Sequence, residues 1–328
     1  MRLRATVLGM SALGLMMLIG CGKEGTGERK FKIGVLQCAP NDSRPTATCN
    51  VLRREAAFYP DRIELDMPVF DTDLNRRTDA VDSLLRRKVD LLIVCPAESA
   101  APTAGLCRAY ESGIPVIVLN RNPDRDCCTC FIGQDQHEIG RAAGAFVIER
   151  SRRKMARTGQ KTYRVYMIQG TLETYPAEGR RQGFLDEVEP HPQIVVMSER
   201  PDCDWKREQA FEHMEAFLAS HPPGSLDCVY AHNDRMAIGA RTAAQGLGRA
   251  KEMIFIGADG LRDEGVKAVL DGELTATFAR PSHGKEAIRY ALKILAGEKV
   301  PKEVPLSTAR ITRQNAREWY DRLPPSGQ

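Results

Sequence analysis

The chain has 328 residues, of which 42% are hydrophobic and 27% charged, the balance of a globular chain large enough for one big domain or two lobes. A formal net charge of +4, with the basic residues spread along the sequence, excludes the concentrated positive face a nucleic-acid binder needs. After residue 20 no apolar stretch is long enough to cross a bilayer.

The chain starts with the positive segment Met1-Arg2-Leu3-Arg4, and an uncharged run over 5–20 follows, with Leu8, Leu13, Leu15 and Leu18. A charged start before an apolar run too short to span comfortably is the pattern of an export signal. The run ends at Leu18-Ile19-Gly20-Cys21, which resembles the bacterial lipobox. The resemblance implies diacylglycerol on the Cys21 thiol, cleavage before Cys21 and acylation of the new amino terminus. A thiolate is the nucleophile such an alkylation needs, and several acyl chains on one residue meet the need for more than one anchoring signal. The alternatives are an ordinary cleaved signal and a single-span anchor. The expectation is a signal peptide over 1–20, a polar, glycine-rich lipidated tether over 21–30, and an exported protein held on a bacterial membrane, periplasm-facing or at the cell surface.

From Phe31 strand and helix patterns alternate. Strands are expected at Phe31–Gln37 and, more weakly, 65–70, then at 90–94 and 115–119, the last two being near-continuous apolar runs suited to burial on both faces. Amphipathic segments over 73–88 and 102–112 lie between them, the second stopped by Gly113. Further strands are expected at 164–169, 193–198, 226–231, 253–257 and 274–279, with helices at 137–152, 177–188, 205–220, 234–245, 261–270 and 281–296. Such alternation predicts α/β architecture with parallel sheets and right-handed crossovers. The number of strands exceeds one comfortable open sheet, so two doubly wound lobes are expected, binding at the carboxyl ends of their strands.

Beside Cys21 there are nine further cysteines, an odd number, so at least one thiol is left out of any internal pairing. An exported chain occupies a compartment that permits disulfides, but connectivity does not follow from spacing. Cys127-Cys128-Thr129-Cys130 lacks a convincing zinc spacing, and no metal or cofactor is expected. Asp71-Thr72-Asp73-Leu74-Asn75 mimics the start of a calcium loop but lacks its glycine and distal glutamate. No Walker loop, dinucleotide glycine fingerprint, His-Glu-x-x-His or nucleophile elbow is present, and no catalytic set groups by spacing, so an enzyme is not expected.

What recurs is a polar residue just after the end of a strand. Asn120-Arg121, Asn233-Asp234, Asp259 and Arg280 all sit there. Each alone is ordinarily a cap or turn residue; in doubly wound sheets they converge on one crevice.

The stretch from Phe31 to about Thr312 resembles the ribose- and galactose-type periplasmic sugar-binding proteins, relatives of the ligand-binding half of lac-repressor-type regulators. The residues carrying the resemblance are Val89-Asp90-Leu91-Leu92-Ile93-Val94-Cys95-Pro96, Gly113-Ile114-Pro115-Val116-Ile117-Val118-Leu119-Asn120-Arg121, and Ile132-Gly133-Gln134-Asp135-Gln136 with Gly140. Arg180-Arg181-Gln182-Gly183-Phe184, His232-Asn233-Asp234-Arg235-Met236-Ala237-Ile238-Gly239-Ala240, Ile256-Gly257-Ala258-Asp259-Gly260 and Ala276-Thr277-Phe278-Ala279-Arg280 complete the set in the family's order and spacing. No helix-turn-helix precedes Phe31, which separates the chain from the repressor branch.

The resemblance implies the type I periplasmic-binding-protein fold, with chain crossings near Gly133, Arg280 and Ser307 and a hinge that closes on ligand. One lobe is expected from 31–132 plus 257–280, the other from 133–256 plus 281–312, with a tail over 313–328. It implies ligand contacts from Asn41, Arg44, Asn120, Arg121, Gln134, Gln136, Arg180, Trp205, Asn233, Asp259 and Arg280. Fork-shaped amide, carboxylate and guanidinium groups suit a polyol's hydroxyls, and the Trp205 ring suits a sugar's C–H face. Two departures stand out: Ser43 and Arg44 occupy positions that are aromatic in ribose-type members, and Asn120 replaces an acid. With Arg44, Arg121, Arg180 and Arg280 the cleft reads as cationic, so an anionic polyol joins the simple sugars as a candidate ligand. The expected role is capture of a monosaccharide or related polyol for an ABC permease, with presentation to a chemoreceptor or histidine kinase as the alternative.

Overall fold

The continuous apolar runs become strands covered on both faces. The computed structural model describes residues 29–37, 43–68, 74–95, 103–119, 126–197, 201–279 and 283–323. Cys21, expected to carry lipid, lies outside them. The chain opens with β1 (Phe31–Gln37), α1 (Ser43–Ala56), β2 (Ile63–Asp66), α2 (Leu74–Arg86), β3 (Leu91–Cys95), α3 (Thr103–Glu111), β4 (Val116–Leu119) and β5 (Cys130–Gln134). Next come α4 (Gln136–Thr158), β6 (Tyr163–Ile168), α5 (Tyr175–Val188), β7 (Ile194–Val196), α6 (Arg207–Ser220), β8 (Cys228–Ala231), α7 (Asp234–Gly246) and β9 (Ile254–Ile256). A π-helical turn (Arg262–Val266), α8 (Lys267–Leu270), β10 (Ala276–Ala279), α9 (His283–Leu295), β11 (Glu303–Leu306), β12 (Ala309–Thr312) and α10 (Ala316–Arg322) complete it.

The strands form two six-stranded sheets, ordered β11-β5-β4-β3-β1-β2 and β12-β10-β9-β8-β6-β7. All neighbours pair in parallel except β12, which runs antiparallel to β10. Each sheet is doubly wound, with its switch point between the first and third strands of its lobe. In the first lobe, Ile33, Cys49, Leu52, Ile93 and Ile288 pack between sheet and α1/α9, and Val81, Leu84, Leu92 and Leu106 fill the α2/α3 face. The second lobe has the same two layers, with Phe146, Phe184 and Tyr230 under α4/α5 and Met214, Phe217, Met236 and Ala240 under α6/α7.

The chain changes sheets between β5 and α4, between β10 and α9, and between β11 and β12. These are the places named in the sequence, but the lobe assignment over 257–306 is reversed, while β12 returns to the second sheet as expected. β9 and β10 lie in the second sheet, while α9 and β11 belong to the first. The cause is plain in α9: its buried residues Gly284, Ala287, Ile288 and Ala291 dock against α1 and the first sheet. Residues 133 and 134 also complete β5 of the first lobe. The expected tail is structured through residue 323: Ala316 is fully buried, and the Arg262 guanidinium lies 4.0 Å over the Tyr320 ring. The helix expected over 261–270 splits into a π turn and the short α8. Helix α1 was not anticipated; its polar start hides an apolar stripe from Cys49 and Leu52.

Candidate functional site

The polar residues of the second lobe gather at the carboxyl ends of β6, β8 and β9. Arg180 sits in the second turn of α5, and the tight α4–α5 contact turns it inward until it is 3% exposed. Its guanidinium reaches three acceptors on three elements. Nε donates to Gln136 Oε1 at 2.9 Å, Nη2 to Asp259 Oδ1 at 2.9 Å, and Nη1 to the His232 carbonyl. Its charge is therefore matched by a carboxylate that is itself 8% exposed.

Asp259 is held in an unusual backbone conformation, with φ of 102°. Its N–H donates to Phe278 O across to β10. A non-glycine residue in this region carries strain of about 1–3 kcal/mol, which persists where the surroundings over-determine it. Here they aim a carboxylate at Arg180.

Trp205 is the second strained element: Asp204 and Trp205 take φ values of 44° and 59° in succession. The Trp205 carbonyl accepts from Asn233 Nδ2 at 3.1 Å, and the ring centroid lies 5.5 Å from the Arg180 guanidinium carbon. The ring covers Gly170, where a Cβ would collide with the indole. The glycine after β6 is thus required by close approach of the aromatic.

Asn233 serves two partners. Its Oδ1 caps α7 by accepting from Met236 N at 2.8 Å, while its Nδ2 positions Trp205. Gln134 and Gln136 flank the first crossing, on β5 and at the start of α4. Gln136 supports Arg180; the buried Gln134 amide has no hydrogen-bond partner among the described residues. The structure thus brings Gln136, Arg180, Trp205, Asn233 and Asp259 into one network and places Gln134 at the hinge beside it. Asn41, Asn120, Arg121 and Arg280 lie outside the described residues, as does the Arg44 side chain.

Sequence reasoning missed Gln169, Gly170, His232 and the role of Asp234. Among the described residues, the buried Gln169 amide and the Nε2 of His232, whose ring lies 6.3 Å from that of Trp205, have no hydrogen-bond partner. The signal available for Gly170 was a glycine directly after a strand; nothing in the sequence set His232 apart. Among the described residues no group of His, Cys, Asp and Glu could hold a metal ion. Cys127 of the Cys127-Cys128-Thr129-Cys130 run is bonded to Cys107. None of the described helices is long and apolar enough to cross a membrane.

Two buried groups under the network titrate in opposite senses. Burial, reinforced by the Asp259 charge, holds the Asp234 carboxyl well above the usual carboxylate range, although Thr277 and the Gly260 N–H oppose this. Burial, with the charges of Arg180 and Arg181, keeps His232 neutral well below its ordinary value. A raised acid in the fold stabilises it below the unfolded value of about 3.9, and that stabilisation is lost as pH rises through the folded value. A depressed imidazole stabilises above about 6.5 and loses that contribution as pH falls through its folded value. Urea unfolding across pH is expected to show both slopes, and Asp234→Asn is expected to flatten the decline on the alkaline side. Superimposable pH profiles for Asp234→Asn and the parent chain would contradict the assignment.

Two doubly wound lobes, joined by three crossings with a polar network beside the hinge, define a two-lobed solute-binding protein of type I. The profile of the periplasmic binding protein domain matches residues 50–299. The ribose import binding protein of Salmonella typhimurium is 33% identical over 267 residues, covering 80% of this chain and 86% of that one. The D-ribose/D-allose-binding protein of Pseudomonas aeruginosa is 29% identical, covering 70% of each. The fructose-binding periplasmic domain of a hybrid two-component system superposes with a TM-score of 0.73 at 35% identity, over 88% of this chain and 93% of that one. The chain belongs to the periplasmic sugar-binding proteins of the ribose/galactose type, a family that binds solutes rather than converting them.

Proposed function

We propose that the chain is the substrate-binding lipoprotein of an ABC importer. It captures a monosaccharide or related polyol between its lobes, closes over it and delivers it to a membrane permease, tethered through lipid on Cys21. The observation that carries this reading is the buried Arg180–Asp259 pair, fixed on strained backbone beside the Trp205 ring. A fork of donors, a carboxylate and an aromatic face together match the hydroxyls and C–H face of a sugar. The same pair lowers the case for an anionic ligand, since Asp259 already neutralises one of the four arginines. Neutral pentoses and hexoses are therefore the first class, with Arg44, Arg121 and Arg280 keeping sugar acids and phosphosugars in view. A ligand-presenting role for a receptor or histidine kinase is the second reading. It is favoured by the likeness to the fructose-binding domain of a hybrid two-component system.

Titration calorimetry of the chain without its first 20 residues, against D-ribose, D-fructose, D-allose, myo-inositol and their acid or phosphate analogues, tests the ligand class. Binding by at least one neutral sugar, weakened tenfold or more in Gly170→Ala, is expected. Binding of no polyol overturns the reading. In-membrane cross-linking separates the partners, a permease supporting the first reading and a kinase the second.

A further inference from the structure

The helix-to-strand turns of the first lobe carry an exposed patch that the ligand network does not use. In a parallel sheet such turns gather at the amino ends of the strands, opposite the carboxyl ends where solutes bind. Three neighbouring pieces of chain meet there: the approach to β1, the turn between α1 and β2, and the turn between α2 and β3. Phe31 N donates to the Arg62 carbonyl at 2.9 Å and Asp90 N to the Lys32 carbonyl at 2.7 Å, while Arg29 pairs with Asp90. The tip of the α1–β2 turn is Ala57-Phe58-Tyr59-Pro60, with Phe58 71% and Tyr59 37% exposed. Turns are ordinarily made of glycine, proline, asparagine, aspartate and serine, and an aromatic ring left in water does nothing for the fold. Tyr110, at the end of α3, is exposed at the same end. Three of the six large hydrophobic side chains exposed among the described residues thus sit on one end of one lobe, which is clustering rather than scatter.

The charges around these rings are unequal. Stretches 29–32, 53–66 and 86–90 hold nine basic and five acidic side chains, a surplus of four that equals the net charge of the whole chain. Two of the acids are already held from within, Asp66 by Lys32 and Arg87 and Asp90 by Arg29. Arg53, Arg54 and Arg62 flank the aromatic tip and are exposed, as are Arg86 and Lys88 beyond β1.

We propose that this end of the first lobe is a docking surface for an anionic lipid bilayer, with Phe58 and Tyr59 entering the headgroup layer and the surrounding arginines and lysines meeting lipid phosphates. A protruding aromatic pair ringed by cations suits that partner. The rings are apolar, with a polar tip on tyrosine at headgroup level, and long basic side chains lay their stems on the apolar zone while their heads reach phosphate. The place where the chain enters the lobe agrees. Arg29 is eight residues beyond Cys21, an extended span of at most about 28 Å, so lipid on Cys21 would keep this end of the lobe within reach of the bilayer. That step rests on the lipid-anchor reading; the patch itself does not. A lobe docked in this way leaves the carboxyl ends of its strands uncovered for solute.

The test uses the chain from Gly22 onward, which keeps every described residue and lacks both the signal run and Cys21, so that only the folded surface can bind. Vesicles of phosphatidylglycerol and phosphatidylcholine in equal parts are expected to carry the chain in flotation, and vesicles of phosphatidylcholine alone to leave it behind. Binding should fade as salt is raised, because exposed charges are screened. Phe58→Ser with Tyr59→Ser should lower vesicle affinity about tenfold or more, and Arg54→Gln with Arg62→Gln about 10- to 30-fold, both at the parental urea midpoint. Emission of a Phe58→Trp chain should shift to the blue on the anionic vesicles as the indole leaves water. Lys161→Gln with Lys251→Gln removes the same charge from the second lobe and is expected to bind like the parent. No binding to anionic vesicles, or an equal loss in the second-lobe control, overturns the proposal. Mass spectrometry of the chain from its host reads the anchor independently: Cys21 without lipid would remove the tether and leave the surface standing, so the two readings fail separately.

Discussion

Asp259→Asn is expected to destabilise the fold by about 3 kcal/mol and to lower sugar affinity by about 10- to 100-fold. The side chain keeps its shape, and asparagine is among the residues that tolerate positive φ, so the φ of 102° is retained. What changes is charge. Arg180 is left as a buried guanidinium with neutral acceptors only, from Gln136, the His232 carbonyl and the new amide. Breaking a buried pair by removing one partner costs about 3–5 kcal/mol; the low end applies because the substituted amide still offers an oxygen. Relief of the repulsion between Asp259 and Asp234 offsets part of this. The loss of affinity follows from the weight of a charge-assisted hydrogen bond, about 1.5–3 kcal/mol, at about 1.4 kcal/mol per factor of ten. Urea unfolding and calorimetry read the two effects separately. Replacing both partners by Arg180→Met and Asp259→Asn tests the division, since a neutral pair removes the orphaned charge. Stability should recover relative to the single variant while binding stays lost. Recovery of binding with stability would show that the pair serves the fold alone.

How much of this was legible beforehand varies with the physics behind each feature. Strands β3 and β4 were plain because each is an unbroken apolar run buried throughout. Asn233 and Asp259 were found by their place after a strand, a rule of topology that needs no coordinates. The lobe assignment failed over 257–306 because sheet membership is set by which strand β10 pairs with, and β9 and the first-lobe strands have the same apolar character. Helix α1 failed because its face is made of cysteine, leucine and alanine with charges between them. The Arg180 network was only half legible. The residues could be named, but that Arg180 directs three donors at protein atoms, and that Asn233 is cap and support together, depends on distances between elements far apart in the chain. His232 illustrates the limit, since its carbonyl serves Arg180 and any residue could supply one.

Gly183→Ala is expected to be the most damaging of the conservative changes. Helices α4 and α5 meet through two glycine pairs, Gly140 and Gly144 on one and Gly179 and Gly183 on the other. A Cβ at Gly183 would stand 2.8 Å from the carbonyl carbon of His137, and one at Gly140 would stand 2.7 Å from the Phe184 nitrogen. Both obstacles are backbone, so no side-chain rotation relieves them. Alanine in a helix gains about 1 kcal/mol over glycine, while forced overpacking costs about 1–3 kcal/mol and occasionally more. The collision with main chain puts this site at or beyond the upper end, so a net loss of about 2 kcal/mol is expected. Gly246→Ala, at the end of α7 with open space around it, supplies the control and is expected to be neutral or slightly stabilising. The functional consequence comes from position. Arg180 lies three residues before Gly183 on α5, and its Nε bond to Gln136 crosses the same helix contact. Parting the helices by a few tenths of an ångström therefore moves the guanidinium relative to Asp259. Gly183→Ala should weaken sugar binding as well as the fold, and Gly246→Ala should do neither; a Gly183→Ala protein with parental affinity would separate the helix contact from the site.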